Sequence, residues 1–268
     1  MFITTPSISS MRDAFSVVGK NVVVTGGNRG IGRGIAEAFA QCGANVAIIC
    51  RDGVNGGKAC TELTRYGGTC ECFPCDVTNR DEVNNISSSI FDSFGTVDVL
   101  VNNAGVATTA PFFSEKGLDE WYRVIDTNLH GTANVIYYIT PKMIEAGKGG
   151  EIINISSVGG QRVSGSKDNH KPPYNASKAG IDIFTKYLAV VLGDYGIRVN
   201  SIAPGPFHTD LDKLHDPAYI STIEEKVPSH RYGNPIEVGA LCVFLSSPAG
   251  AQITGAVYPL DGGLLCVI

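Results

Sequence analysis

Apolar residues in this chain gather into short β-branched runs, and the stretches between them carry apolar positions at three- and four-residue spacing. Short unbroken apolar runs predict strands buried on both faces, and the wider spacing predicts helices. The runs Asn21–Thr25, Val46–Cys50, Thr69–Cys75, Val97–Asn102, Glu151–Ser156, Ile197–Ile202 and Val257–Leu260 read as strands. A helix through Ala36, Phe39 and Ala40 follows the first run, after a glycine-rich turn. Residues 117–146 read as mostly helical, with interruptions at Gly131 and Pro141, and Tyr174–Gly193 reads as a helix. Asn234 followed by Pro235 supplies an N-cap and a first-turn proline for a helix ending at Ser246.

Strand and helix alternate from start to finish. That order predicts an α/β fold: a doubly wound, mostly seven-stranded parallel sheet with helices on both faces. No repeat, low-complexity linker or second domain interrupts it. The expected organisation is an N-terminal arm over residues 1–18 and one domain over 19–268. The stretch 205–233 breaks the rhythm with Pro, His, Asp and Tyr, and reads either as a lid over a site or as a surface excursion.

A length of 268 residues with 43% hydrophobic content suffices for one large core. A formal net charge of −5 argues against a nucleic-acid binder, which needs a basic face. No run of about 18 apolar residues is present, so no membrane span is expected. Met1 to Ser10 lacks the basic flank and apolar run of a secretory signal, so a cytoplasmic protein with reduced thiols is expected. Cys70 and Cys72 would face one side of a strand and Cys75 the other, and no second cluster completes four ligands. These cysteines read as small apolar strand residues, and no metal site is expected.

Thr25-Gly26-Gly27-Asn28-Arg29-Gly30-Ile31-Gly32 lies between the first strand and its helix. Glycines there let backbone N–H groups approach a phosphate, and the helix N-terminus adds partial positive charge. At the end of the second strand an acid would bind both ribose hydroxyls of NAD, whereas an arginine suits a 2′-phosphate. Here Cys50 stands where the acid would, Arg51 follows, and Arg29 lies in the turn. Two guanidiniums beside one phosphate favour NADP(H) over NAD, although Asp52 comes one place later.

Tyr174 and Lys178 are four residues apart, hence on one face of a helix. An ammonium beside a phenol favours the phenolate, and a tyrosine of lowered pKa can exchange a proton with a carbonyl oxygen.

The chain resembles the classical branch of the short-chain dehydrogenase/reductase family, from about Val18 to Leu265. The motifs that carry the resemblance come in order. They are Thr25-Gly26-x-x-x-Gly30-x-Gly32, Cys75-Asp76-Val77, Asn102-Asn103-Ala104-Gly105, Asn128-Leu129-His130-Gly131, Ile155-Ser156-Ser157, Tyr174-x-x-x-Lys178, Pro204-Gly205 with Thr209, and Asp261-Gly262-Gly263. The resemblance implies a Rossmann fold binding NADP(H). Gly26, Asn28, Arg29, Gly30, Ile31 and Arg51 would meet the adenosine phosphates. Asp76 and Val77 would contact the adenine, and Asn103, Ala104 and Gly105 the adjoining ribose. Pro204, Gly205, Phe207 and Thr209 would hold the nicotinamide end with Tyr174 and Lys178.

The same resemblance implies catalysis by Ser157, Tyr174, Lys178 and Asn128. Hydride would pass between NADP(H) and a ketone or secondary alcohol, with Tyr174 moving the proton, Lys178 lowering its pKa, and Ser157 bonding the substrate oxygen. Asn128 would anchor a water relay to the lysine. The glycine turn with Ile49-Cys50-Arg51 looks most like the polyol and sugar reductase branch, of sorbose or mannitol type. Hydroxysteroid dehydrogenases and 3-oxoacyl reductases share the framework, and a redox sensor or scaffold that binds NADP(H) without turnover is the non-enzymatic alternative.

Ser157 and Tyr174 stand farther apart than is usual in the family. The added loop carries Arg162, Lys167, His170 and Lys171 against one acid, Asp168, and reads either as an attractor of anionic substrates or as a solvated loop. Ala107, Val158, Gly159, Phe207 and His208 flank the motifs as further pocket candidates. Family members usually form homotetramers through two long helices. Tyr137, Tyr138, Ile183, Phe184, Tyr187 and Val191 would lie either at such an interface or against the sheet.

Overall fold

Seven parallel strands pair in the order β3-β2-β1-β4-β5-β6-β7 in this computed structural model, which describes residues 8–163, 171–209 and 217–267. In chain order the elements begin α1 (Met11–Ala14), β1 (Asn21–Thr25), α2 (Gly30–Gln41), β2 (Asn45–Cys50), α3 (Gly53–Leu63), β3 (Cys70–Pro74), α4 (Arg80–Phe94) and β4 (Val99–Asn102). They continue with α5 (Gly117–Ile125), α6 (Gly131–Ala146), β5 (Gly150–Ile155), α7 (Pro172–Leu192), β6 (Ile197–Pro204), α8 (Pro217–Lys226), α9 (Pro235–Ser246) and β7 (Val257–Leu260).

Strand residues alternate between two cores, as a period of two requires. Val22, Val24, Val46, Ile48, Val99 and Ile153 face one core with Ile35 and Phe39 of α2 and Val238 of α9. Val23, Ala47, Ile49, Leu100 and Ile152 face the other with Ile90 of α4, Ile139 of α6 and Leu188 of α7. Both sheet faces are therefore covered. Cys50, Cys60, Cys70 and Cys72 join the first core and Cys75 the second. All eight cysteines are free.

The path explains where a ligand can sit. From β1 the chain winds outward to β3, then returns to the centre at β4 and winds the other way to β7. Loops after β1 and β4 thus diverge, opening a crevice at the carboxyl ends of the strands.

Three details differ from the sequence reading. The break in residues 117–146 is a π-helical turn, Asp126–His130, one residue before Gly131. Pro141 lies inside α6 without ending it. The carbonyl it leaves without a helical partner belongs to Tyr137, which is on the solvent side (66% exposed), where water can bond it. The stretch 205–233 contains α8, and its ends are zipped together: the His208 N–H donates to Gly233 O and the Gly233 N–H to Pro206 O, each at 2.9 Å. Residues 210–216 of that stretch lie outside the described residues.

At the N-terminal side, Ser10 caps α1, Ala14 and Val17 are buried, and Phe15 meets Phe244 of α9 with ring centroids 6.0 Å apart. Among the described residues no helix is long and apolar enough to cross a membrane.

Candidate active site

A cleft of about 760 Å³ opens at the carboxyl ends of the strands. The turn after β1 forms one wall through Gly26, Asn28, Arg29, Gly30 and Ile31. Gly26 has φ +66°, and a Cβ on Gly32 would collide with the Gly26 carbonyl oxygen, so both positions require glycine. Thr25 Oγ1 accepts hydrogen bonds from the backbone N–H groups of Asn103 and Ala104, both 2.9 Å, and Asn103 Nδ2 donates to Thr25 O at 2.9 Å. These bonds lock the glycine turn to the loop after β4, which lines the cleft with Asn103, Ala104 and Gly105. The Arg29 side chain makes no capping bond to α2, so the first N–H groups of that helix have no side-chain cap.

The end of β2 meets the loop after β3. Cys50, Arg51 and Asp52 line the cleft beside Asp76 and Val77. The Asp52 carboxylate caps α3, accepting from Asn55 N at 3.0 Å and from Asn55 Nδ2 at 2.5 Å. Burial pushes the Cys50 thiol up to about 12, and it donates to Asp52 O at 3.3 Å. Arg51 is exposed, its nearest acid being Asp76 at 3.9 Å. This end of the cleft thus carries one exposed guanidinium, the Asp52 carboxylate engaged as a helix cap, Asp76, and a thiol at the strand end.

At the other end of the cleft stand Ser157, Tyr174, Lys178, Pro204, Gly205 and Thr209. The Ser157 hydroxyl accepts from Gly159 N at 3.1 Å and lines the cleft with Tyr174. Its neighbour Ser156 points the other way, donating to Lys178 O at 3.2 Å. The backbone thereby separates the two serines, which sequence alone could not do. Lys178 is 4% exposed, donates from Nζ to Ile155 O at 2.7 Å, and lies 5.7 Å from the Tyr174 ring centroid.

Burial pushes Tyr174 above its ordinary value, with the Ser157 hydroxyl acting in the lowering direction. That reverses the direction expected from the Tyr–Lys spacing. The ammonium is held to a carbonyl oxygen rather than to the phenol, so desolvation prevails. Desolvation likewise depresses Lys178, to about 8, against a raising influence from Asp182.

Asn128 lies in the π-helical turn, fully buried. Its Oδ1 accepts from Val106 N at 2.8 Å, and its Nδ2 donates to Val106 O at 3.0 Å and Ser177 Oγ at 3.1 Å. Both ends of the amide are occupied in joining the loop after β4 to α7, so the side chain does not line the cleft. Phe207 is 8% exposed, packs into the first core and pairs with Gly233, and it too does not line the cleft. Ala107, Val158, Gly159 and His208 are likewise outside its lining. Arg162 donates to Leu264 O and Val267 O at 2.9 and 3.1 Å, tying its loop to the C-terminal segment. Lys167, Asp168 and His170 lie outside the described residues.

Sequence reasoning passed over Asp182 and Ser201, which are hydrogen-bonded to each other at 3.0 Å behind Lys178. The four-residue step from Lys178 to Asp182 was the available signal. Nothing in the sequence linked Ser201 to it. Among the described residues no three His, Cys, Asp or Glu side chains are grouped as for a metal ion.

Compared with known proteins, residues 26–265 match a family model described as enoyl-(acyl carrier protein) reductase. Sorbose reductase of Candida albicans is 36% identical over 262 residues, 96% of this chain and 91% of that protein. A short-chain type dehydrogenase/reductase from Mycobacterium marinum superposes with a TM-score of 0.90 at 32% identity, covering 96% of this chain and 100% of the other. A gluconate 5-dehydrogenase from Burkholderia cenocepacia, in complex with NADP and tartrate, superposes with a TM-score of 0.88 at 30% identity over 97% of this chain and 100% of the other.

Proposed function

The chain belongs to the short-chain dehydrogenase/reductase family of oxidoreductases, and on that premise we propose that it moves a hydride reversibly between NADP(H) and a ketone or secondary alcohol, a sugar or polyol. The observation that carries this reading is that Ser157, Tyr174 and Lys178 line the same cleft as the glycine turn and Arg51, with the Lys178 ammonium 5.7 Å from the Tyr174 ring centroid. Sorbose reductase among the relatives, and gluconate 5-dehydrogenase with its NADP, support the sugar class and the phosphorylated cofactor.

When bound, the nicotinamide cofactor supplies the hydride. The α2 N-terminus and the turn Gly26–Ile31 would hold its phosphates, with Arg29 and Arg51 at the ribose phosphate. Asp76 and Val77 would flank the adenine, and Asn103 to Gly105 the ribose beside it. Pro204, Gly205, Thr209 and Lys178 would border the nicotinamide end.

The protein's own part is to polarise and to move one proton. Ser157 Oγ donates a hydrogen bond to the substrate oxygen as negative charge grows there. Tyr174 gives its hydroxyl proton to that oxygen: the phenol O–H bond breaks as the alcohol O–H bond forms. Lys178 stabilises the phenolate left behind. Alcohol oxidation runs the same steps backwards. A phenol held protonated by burial suits the reductive direction at neutral pH. Asn128 acts through position, holding Val106 and Ser177 and hence both sides of the site, rather than by passing the proton.

Assembly into a homotetramer belongs to this reading. Tyr137 of α6 and Ile183, Tyr187 and Val191 of α7 are exposed, whereas Tyr138 and Phe184 pack against the second core. Light scattering at micromolar concentration checks the assembly, and a monomer would count against it.

NADPH consumption with a panel of ketoses, oxo-acids, oxo-steroids and 3-oxoacyl thioesters tests the function. Turnover of ketoses with preference for NADPH over NADH is expected. Turnover confined to steroids or acyl thioesters would displace the sugar reading, and cofactor binding with no turnover of any ketone would displace the reaction itself.

A further inference from the structure

Lys178 poses a problem that its hydrogen bond to Ile155 O does not solve. An ammonium removed from water loses its charge unless an anion stands near it. Among the described residues, the anion that supports its charge is Asp182, one helical turn further along α7 and on the same side.

Asp182 is not placed as a surface acid. Its Oδ1 accepts a hydrogen bond from Ser201 Oγ at 3.0 Å, and Ser201 is fully buried on β6. Ser156, 2% exposed just after β5, donates its hydroxyl to Lys178 O at 3.2 Å. Ser201 of β6 thus grips the carboxylate that follows Lys178 on the helix, while Ser156, from the end of β5, holds the Lys178 backbone. Sequence neighbours could not do this, because Ser156 and Ser201 come from different strands.

We propose that Asp182 is a positioning residue for Lys178: fixed by Ser201, its carboxylate keeps the lysine charged and seated against Ile155, beside Tyr174. The proposal rests on the reading of Tyr174 and Lys178 given above. It adds a third member, after Tyr174 and Lys178, on the same face of α7.

The surroundings leave this role to Asp182 among the described residues. On α7 the ionisable groups near the pair are Tyr174 and Lys186. From β5 and β6 the groups bonded to the pair are neutral: the Ile155 carbonyl, Ser156 and Ser201. Burial depresses Lys178 and raises Asp182, and each opposes the other's displacement.

The test is Asp182→Asn, whose amide oxygen still accepts from Ser201, so the fold is kept. Lysine labelled with ¹³C at Cε gives the Lys178 titration directly, assigned by the signal missing in Lys178→Arg. The midpoint is expected to fall by about one pH unit from its parent value. The alkaline limb of kcat/KM should move down with it, at unchanged Tm. If Asp182→Asn folds poorly, Ser201→Ala, which frees the same carboxylate, should lower the midpoint in the same direction. A Lys178 midpoint unmoved in the folded variant overturns the proposal, whatever the turnover. The reading of the site fails separately: a Tyr174→Phe protein that still turns over would sink that reading while leaving a measured Lys178 displacement in place.

Discussion

The carboxylate of Asp52 accepts the backbone N–H of Asn55 at 3.0 Å and so serves as the cap of α3, directly after Arg51. This bond decides how the end of β2 meets a ribose. An acid engaged at a helix N-terminus is poorly placed to take both hydroxyls of an unphosphorylated ribose, and Cys50 offers no substitute. In the proposed NADP(H) complex, recognition of the ribose phosphate therefore falls to Arg51. Replacing Arg51 by Ala should raise KM for NADPH by about 10- to 100-fold, the value of one charge-assisted hydrogen bond, and leave KM for NADH nearly unchanged. Introducing an acid with Cys50→Asp should shift preference toward NADH. Equal loss for both cofactors in Arg51→Ala would show that the guanidinium does not read the phosphate.

Tyr174 and Ser157 line the same cleft but carry different duties in the proposed mechanism. Tyr174→Phe removes the proton donor and should lower kcat by about 10²- to 10⁴-fold with NADPH binding retained. Ser157→Ala removes one donor to the developing oxyanion and should cost about 10²- to 10³-fold. Stopped-flow turnover and fluorescence titration of NADPH separate the two quantities. Near-normal kcat in Tyr174→Phe would end the tyrosine's assigned role.

The strands were legible in the sequence because they are buried on both faces, so Val22–Val24 and the isoleucines Ile152, Ile153 and Ile155 stand out as short β-branched apolar runs. The glycine turn was legible because Gly26 and Gly32 answer to backbone geometry that other residues cannot meet. What remained hidden depends on partners distant in the chain. The π-helical turn at Asn128 is held by Val106, 22 residues earlier, and the grip on Asp182 needs Ser201 from another strand. The direction of the Tyr174 pKa was misread for a related reason: spacing places the lysine on the right face, but only packing reveals that Ile155 O takes its ammonium.

Asn128 offers a test of position against chemistry. Its amide is fully buried and bonds both the N–H and the C=O of Val106. Asn128→Ala leaves that backbone pair unsatisfied in the interior, which should lower unfolding free energy by about 2–3 kcal/mol in urea titration. Turnover should fall with it, because Val106 and Ser177 lose their common tie. A large loss of kcat at unchanged stability would instead assign Asn128 a direct part in proton transfer.

Far from the cleft, Glu151 and Arg198 meet at 2.8 Å where β5 and β6 begin. Arg198 directs its N–H groups to the carbonyls of Leu245, Gly250 and Ile253, so the ion pair is close without being well bonded. Asn200 Nδ2 donates to the other carboxylate oxygen at 2.9 Å. Desolvation is the dominant influence and pushes the Glu151 carboxyl up to about 8, from an ordinary 4.5. The folded chain then binds this proton more tightly than the unfolded chain does. Its stabilising contribution is complete below about 4.5 and is lost as pH rises through about 8. Over that window the parent protein should lose on the order of a few kcal/mol from this group, read as a Tm that falls between pH 5 and 8. Glu151→Gln, which fixes the neutral form, should flatten the slope. An identical slope in the two proteins would mean that Glu151 is ionised throughout and that Arg198, not desolvation, governs it.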